Sequence, residues 1–238
     1  MTLLSICQDA ADELNLPQPA VVAASSLDDD KKLLRMANKV GNKLMKAYPW
    51  QDLRKEQTFT ATSGEAQSGV IPSDFDRFIP ETFWDRSNEK LISGPISDVE
   101  WGSLKALSYN GYQKKFIYRG DGVSIIPAMG GTESCAFSYV SNQWCQSSMG
   151  AGQTSWEADT DVAIIDEELI TYGVIYEWLA SEGQVWQKAA ADYVDRFNTL
   201  IGNDQPKAGV LVAGDIFGTD TRHFTGQPYV NAPNSLLS

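Results

Sequence analysis

The residues that could carry out chemistry are few and poorly placed for it. The chain has a single histidine, His223, so no pair of imidazoles can share a metal ion or an acid–base step. A Ser/His/Asp triad needs its histidine on a rigid scaffold, whereas His223 lies in a segment punctuated by glycine and proline. We therefore expect His223 to be a solvated residue of that segment and not a catalytic base.

Two arrangements of carboxylates come closest to a site. Asp159 and Asp161 begin like a calcium loop, but the third acidic position and the glycine of that loop are missing. We expect this pair to form a polar approach to the helix that follows. Glu81 and Asp85 could be compared with a glycosidase pair, but an acidic chain offers many such pairs. Neither arrangement predicts a catalytic or metal site.

The glycine-rich stretch and the cysteines also lack the spacing of a site. Residues 129–132 (Met-Gly-Gly-Thr) have neither the lysine nor the spacing of a phosphate-binding loop. The cysteines are odd in number and have no metal spacing, so we expect reduced thiols, with a bridge between Cys135 and Cys145 as the alternative. The third cysteine is Cys7. The sequence therefore predicts no catalytic centre, no cofactor and no metal, and hence a protein that is not an enzyme.

Composition and charge fit a globular protein that does not grip phosphate. The chain of 238 residues is 42% hydrophobic and can bury a core without a disulfide or metal. Its net charge of −12 argues against a phosphate-binding outer surface. An acidic wall would nevertheless let a DNA duplex pass without sticking. No run approaches the length of a membrane span and the N-terminus lacks the layout of a signal peptide, so we expect no membrane association.

Helical periodicity appears at both ends of the first 205 residues. Residues 2–14 and the stretch after the acidic turn at Asp28 each place apolar residues on one face. A second helical block starts at Asp166, is interrupted by Gly183 and is expected to end at Gly202, as one bent helix or two stacked ones. The predicted apolar stripe of this block is Leu169, Tyr172, Ile175, Trp178, Leu179, Val185, Trp186, Ala189, Tyr193, Phe197, Leu200 and Ile201.

The helix after Asp28 carries a basic face opposite its apolar one. This face is the one local charge anomaly on an acidic chain. Two interpretations stay open: a solvated helix face, and a surface that forms salt bridges between subunits. The basic residues are Lys31, Lys32, Arg35, Lys39, Lys43 and Lys46.

Between the helical blocks the hydrophobic period changes to two, which is typical of strands. Residues 115–119 and 123–127 should pair as a hairpin around a Gly-Asp-Gly turn. Ser97 begins a capping box, so a short helix should turn Trp101 and Leu104 inward. About six short strands at such spacing predict a small antiparallel sandwich or barrel. The expected core residues of this module are Phe59, Phe116, Phe137 and Tyr139, and residues 70–72 are a further strand candidate.

Together these patterns predict an α+β fold. It consists of a helical bundle built from the N- and C-terminal helices, an inserted antiparallel β module and an extended C-terminal arm. The predicted divisions are 1–56 for the first part of the bundle, 57–161 for the β-rich insert, 162–205 for the second part of the bundle and 206–238 for the arm.

The predicted arm, residues 206–238, is low in charge and yet apolar. Its four charged residues sum to zero, and its glycines and prolines disfavour a regular helix. The apolar content argues against a mere spacer. We predict an assembly element that is buried on another chain, and a disordered end is the alternative. Its expected anchors are Val210, Val212, Phe217, Phe224 and Tyr229.

Several short stretches of the chain share a pattern with a known family. They are 75–84 (which begins Phe-Asp-Arg-Phe), 91–101, 118–121, 137–141, and 156–161 followed by 167–170. These stretches resemble the head–tail adaptor (connector) proteins of phages, and the architecture resembles that of the tubular tail proteins of short-tailed phages. The resemblance covers about residues 74–183 and is one of sequence texture, without a catalytic motif.

The resemblance implies a structural virion protein that forms a homo-oligomeric ring of twelve subunits. Such a ring binds the portal protein, extends the DNA ejection channel and docks the tail nozzle protein, while DNA passes through without specific binding. It would lie at the head–tail interface of the virion, and in the host cytoplasm before assembly. A carbohydrate-binding tail module, suggested by seven tryptophans, and a phage-encoded hydrolase, weakened by the lone histidine, are the alternatives.

Overall fold

The computed structural model describes residues 1–120 and 122–204 and has a mixed α+β fold of helices and antiparallel sheets. The chain divides into two compact units. Among the described residues, the first contains Met1–Tyr48 and 145–204, and the second is Pro49–Trp144. The sequence predicts the β-rich insert at 57–161, whereas the second unit is Pro49–Trp144. The predicted arm at 206–238 lies outside the described residues.

The chain starts in the first unit, passes through the second and returns to the first. The helices are α1 (Leu3–Glu13), α2 (Asp28–Ala47), α3 (Asp98–Ala106), α4 (Glu167–Ser181) and α5 (Gln187–Asp204). The strands are β1 (Arg54–Thr60), β2 (Gly64–Gln67), β3 (Phe75–Phe78), β4 (Trp84–Asp85), β5 (Lys90–Leu91), β6 (Lys115–Arg119), β7 (Gly122–Met129), β8 (Ser134–Ser141), β9 (Cys145–Gln146), β10 (Gly152–Gln153) and β11 (Val162–Ala163).

Helix α4 is the centre of the first unit. It packs against α1, α2 and α5, and its buried residues are distributed around the helix because neighbours surround it. The Asp166 carboxylate begins α4 by accepting a hydrogen bond from the Leu169 N–H at 2.8 Å, as an N-cap does. The apolar faces predicted for α1 and α2 are confirmed, with Ile6 and Leu44 fully buried among them.

The second helical block is two helices, α4 and α5, separated at Gly183. Two details of the prediction for this block are wrong. Gly183 has φ +66°, a conformation that glycine adopts without steric cost, and α5 then starts at Gln187. Val185 lies in this connection and is exposed, so its predicted place on the buried stripe is wrong. Helix α5 continues through Gly202 to Asp204, so the predicted helix end at Gly202 is also wrong.

Half of the basic face of α2 is paired within its own unit. Lys39 and Lys43 donate to the two carboxylate oxygens of Glu177 on α4 at 2.6 and 2.8 Å, and Lys32 pairs with Glu182. Pairing within one unit was in neither interpretation made from the sequence, and the Lys39 side chain is in addition 50% exposed, as a solvated face requires. Glu177 is 7% exposed, so this carboxylate connects two turns of α2 to the central helix.

We expect Glu177→Gln to destabilise the protein by about 1.5–3 kcal/mol near neutral pH, the range for hydrogen bonds to charged groups. Burial raises the pKa of the Glu177 carboxyl, but hydrogen bonds from Lys39 and Lys43 outweigh it and lower the pKa below its ordinary 4.5. A depressed folded-state pKa gives stability that is present above the unfolded-state pKa and lost as pH falls through the folded one. The difference between wild type and variant, measured by urea unfolding, should therefore shrink below about pH 4. Glu182→Gln, at an exposed pair, should cost less than about 1 kcal/mol.

The second unit is a two-layer β-sandwich. Its larger sheet has the order β1-β8-β4-β5, with β3 also paired to β8, and its smaller sheet has the order β2-β7-β6. The predicted hairpin is confirmed, because β6 and β7 pair in register from Lys115↔Ile126 to Arg119↔Gly122. Residues 70–72, by contrast, do not form a strand, and β1 extends further towards the N-terminus than predicted because its polar start pairs with β8.

Aromatic rings from both sheets fill the sandwich. The cluster contains Phe116 from the smaller sheet and Phe137 and Tyr139 from the larger one, with Phe59 packed against it. The core predicted from period-two alternation is therefore confirmed at these four positions. The opposite face of the smaller sheet is apolar too: Ile117 and others there belong to a second cluster with α3. The smaller sheet is thus covered on both faces.

Candidate interaction surface

The five anchors predicted for the arm, Val210, Val212, Phe217, Phe224 and Tyr229, lie outside the described residues, as does His223. The candidate site described here lies among residues 1–120 and 122–204. Within that part, no group of three or more His, Cys, Asp or Glu side chains is placed to hold a metal ion.

The two carboxylates of the calcium-loop-like stretch bind backbone amides. Asp159 Oδ1 accepts from the N–H groups of Val22 and Ala23 at 2.9 and 2.8 Å. Asp161, which is 2% exposed, accepts through Oδ2 from the N–H groups of residues 157 and 158 at 2.8 Å each. Through these hydrogen bonds the two carboxylates hold loops of the first unit in place, a role that the sequence pattern did not predict.

A partly buried ionic cluster lies in the second unit. The Lys114 ammonium lies 3.5 Å from the buried Asp85 carboxylate and 3.6 Å from that of Glu133. Glu133 also accepts from the N–H groups of residues 130–132 at 2.7–3.0 Å. Partial burial raises the pKa of Glu133, but these backbone bonds outweigh it and lower the pKa to about 2. The glycine-rich stretch thus has its amides occupied by the chain's own carboxylate.

The three cysteines are free and buried. Burial raises the pKa of each thiol to about 12, with nearby carboxylates adding to the effect at Cys7 and Cys145. A thiol with so high a pKa is largely protonated near neutral pH and is a poor nucleophile. The alternative of a bridge between Cys135 and Cys145 is not found.

Helix α3 is the element whose surroundings point to interaction with another molecule. It starts as predicted, because the Ser97 hydroxyl accepts from the Glu100 N–H at 3.2 Å. Its inner residues, Trp101 and Leu104, pack on the smaller sheet, which confirms their predicted inward direction. A short helix of nine residues is marginal on its own, so this packing holds it in place.

Each charged side chain of α3 forms an ion pair with the sheet beneath it. Asp98 pairs with Arg119 at 2.8 Å and Glu100 pairs with Lys115 at 2.6 Å. At the other end of the helix, Lys105 pairs with Glu65, also at 2.6 Å. These are the three charged residues of the helix. Each is paired with its own sheet, and the Asp98 side chain is at the same time 83% exposed.

The outer face of α3 contains no charged residue and is mostly apolar. Helical spacing places positions 99, 102, 103 and 106 on one face, and Leu107 follows as the C-cap residue. Val99 is 84% exposed and Leu107 is 78% exposed, and the residues between them are small and exposed. We call this set, Val99, Gly102, Ser103, Ala106 and Leu107, the α3 outer face.

A shallow depression lies beside the C-terminal end of α3. Its volume is 340 Å³, and Lys105, Tyr109 and Pro127 are among the residues that line it. A second depression, of 360 Å³, is lined by Trp84, Arg86 and neighbouring residues, and Trp84 is 44% exposed there.

The chemistry of the α3 outer face is that of docking. Two exposed branched side chains at the ends of a helix can be buried by a partner, and the small residues between them let another backbone approach closely. Sequence reasoning found the helix and its inner face but missed the outer one. An exposed helix face is normally a row of polar residues. The apolar Val99, Ala106 and Leu107 at these positions were the available signal.

Comparisons with known proteins do not extend these observations. No protein-family model matches the chain, and no curated protein matches it either. None of the described helices is both long and apolar enough to cross a membrane.

Proposed function

We propose that this chain is a structural virion protein, a head-to-tail adaptor whose subunits form a ring on the portal protein. The observation that carries the proposal is the α3 outer face: an uncharged, apolar surface on a chain of net charge −12. Like-charged copies repel one another, so copies that assemble need contact surfaces on which charge is missing. The ring would extend the DNA channel and dock the tail nozzle protein.

The acidic surface of the chain supports the same proposal. DNA that passes through a channel must not be held, and a protein that binds duplex DNA does so mainly by neutralising phosphates with basic side chains. Three lysines of the basic face of α2 are paired with carboxylates of α4, which reduces the basic charge available to phosphates. In this proposal the helices of the first unit and the β module of the second belong to one adaptor subunit, and the arm at 206–238 is its assembly element.

The arm gives the proposal its most direct test. A variant that ends at Gln205 should keep the folded units but lose stable attachment to the portal or to neighbouring subunits. Ordering an extended segment costs about 1–2 kcal/mol per residue in backbone entropy, so attachment requires that several apolar anchors are buried at once. The measurement is the native mass of the full chain and of the truncated chain, each mixed with the portal protein encoded alongside it.

A full-length control separates the anchors from the length of the arm. It replaces Val210, Val212, Phe217, Phe224 and Tyr229 with serine, and we expect it to behave as the truncated chain does. If the truncated chain attaches as well as the full one, the arm is not an assembly element. If the full chain itself forms no ring on the portal, the adaptor function is wrong.

A carbohydrate-binding module is the second candidate, because Trp84 is exposed at the edge of a shallow depression. Five of the seven tryptophans are buried, however, and thus do not offer ring faces to a sugar. Retention on immobilised host polysaccharide that Trp84→Ala abolishes would favour this candidate. For the phage-encoded hydrolase, we find no group of catalytic side chains among the described residues.

A further inference from the structure

We propose that the α3 outer face of one subunit binds the apolar run at residues 208–214 of a second copy of this chain. The inference rests on the proposed ring, and it names the two surfaces that meet within it. The run reads Ala-Gly-Val-Leu-Val-Ala-Gly and lies just beyond the described end of α5.

Charge is the first argument for this pairing. Two copies that each carry a net charge of −12 repel at most of their surfaces. The α3 outer face contains no charged residue, and the three charged residues of the helix, Asp98, Glu100 and Lys105, are paired with the sheet beneath. The run at 208–214 has no charged or polar side chain. Contact between these two sets of residues therefore buries no charged side chain of either set.

Size is the second argument. Val99 and Leu107 are eight residues apart on a helix, which corresponds to about 12 Å. An extended run of seven residues spans about 23 Å, so residues 208–214 can cover the whole α3 outer face. A rigid dimer needs about 800 Å² from each partner, more than one face of a nine-residue helix offers. An extended segment that contributes further contacts elsewhere in the ring fits this small surface better than a second globular face does.

Side-chain shape is the third argument. Small residues occupy the middle of the α3 outer face, and a Cβ added at Gly102 would meet no atom within 4 Å. A segment rich in branched residues, such as Val210, Leu211 and Val212, can approach the helix closely there. The exposed Val99 and Leu107 would be buried on either side of it.

The test is disulfide trapping between two full-length variants. One copy carries Leu107→Cys and the other carries Leu211→Cys, and the two are mixed in concentrated solution and, separately, on the portal. The native cysteines are buried and should not interfere. We expect a covalent dimer of the two variants to form about tenfold more than in a mixture with a Thr199→Cys control, which corresponds to about 1.4 kcal/mol of docking free energy. Position 199 is exposed on α5.

A second variant checks the chemistry of the contact. Adding Ser103→Glu to the Leu107→Cys copy should reduce trapping to the level of the Thr199→Cys control, because it places a charge in the middle of the α3 outer face. Trapping that stays at the control level in both settings, or that is unaffected by Ser103→Glu, overturns the inference. A third variant carries Leu107→Cys and Leu211→Cys in one chain. If its bridge forms only within that chain and never between copies, the inference is overturned as well.

Failure of this inference can be told apart from failure of the proposed function. A ring on the portal without trapping leaves the adaptor function standing and removes the contact. Trapping without any ring on the portal keeps the contact and removes the adaptor function.

Discussion

Phe137→Ala is expected to destabilise the second unit by about 3–5 kcal/mol, the range for removing a fully buried phenylalanine. The side chain is 1% exposed at the centre of the aromatic cluster. Its ring centroid lies 5.0 Å from that of Phe78 and 5.4 Å from that of Phe83. Removing it costs the transfer free energy of the ring and leaves a cavity bordered by neighbouring rings such as Phe78 and Phe83. Chemical denaturation followed by tryptophan fluorescence measures the change.

Tyr112→Ala is the matched control for an aromatic residue on the same unit. Tyr112 is 81% exposed, and its described ring contact is the Lys90 ammonium at 3.8 Å. Exposed contacts of this kind contribute about 0.5–1 kcal/mol, so the control should lose no more than that. A loss below about 1 kcal/mol for Phe137→Ala would contradict the assignment of this residue to the core.

Gly173→Leu is expected to destabilise the first unit by about 3 kcal/mol or more, at or beyond the upper end of the usual range for overpacked cores. Gly173 lies on α4 where that helix meets α2 and α5. A Cβ added there would lie 2.5 Å from Val40 Cγ1 and 3.1 Å from Tyr193 Cε2. Three helices would have to separate to admit a leucine. Urea unfolding followed by far-UV circular dichroism measures the loss.

Two further variants keep this prediction testable even if Gly173→Leu does not fold. Gly173→Ala gains about 1 kcal/mol of helix propensity but should still be net destabilising, because its Cβ overlaps Val40. Gly202→Ala, at a glycine of α5 where an added Cβ would meet no atom within 4 Å, should stabilise by up to about 1 kcal/mol. Equal effects at the two glycines would show that the helices do not pack closely at Gly173.

Local patterns in the sequence were sufficient for those parts of the fold that depend on neighbouring residues. The apolar faces of α1 and α2 follow from the helical period, the start of α3 from the Ser97 cap, and the β6–β7 hairpin from its glycine turn. The core position of Phe137 follows from alternation along β8. In each case the residues that determine the structure lie within a few positions of one another.

The features that were missed depend on residues far apart in the chain. The pairing of Lys39 and Lys43 with Glu177 joins positions more than 130 residues apart, and the polar start of β1 is a strand only because β8 pairs with it. The α3 outer face had a local signal in Val99, Ala106 and Leu107, but the charged residues beside it concealed that signal. Charged residues at 98, 100 and 105 suggest a solvated helix until their partners on the sheet are known.

The first unit is assembled from both ends of the described chain, whereas the second is one continuous stretch. During synthesis the sandwich can therefore complete its core while α4 has not yet been made. The apolar faces of α1 and α2 must wait for α4 for on the order of ten seconds at usual rates of translation. Over that time these faces are exposed to other nascent chains and to chaperones, so slower translation after Trp144 should lower the yield of folded protein more than slower translation before Pro49.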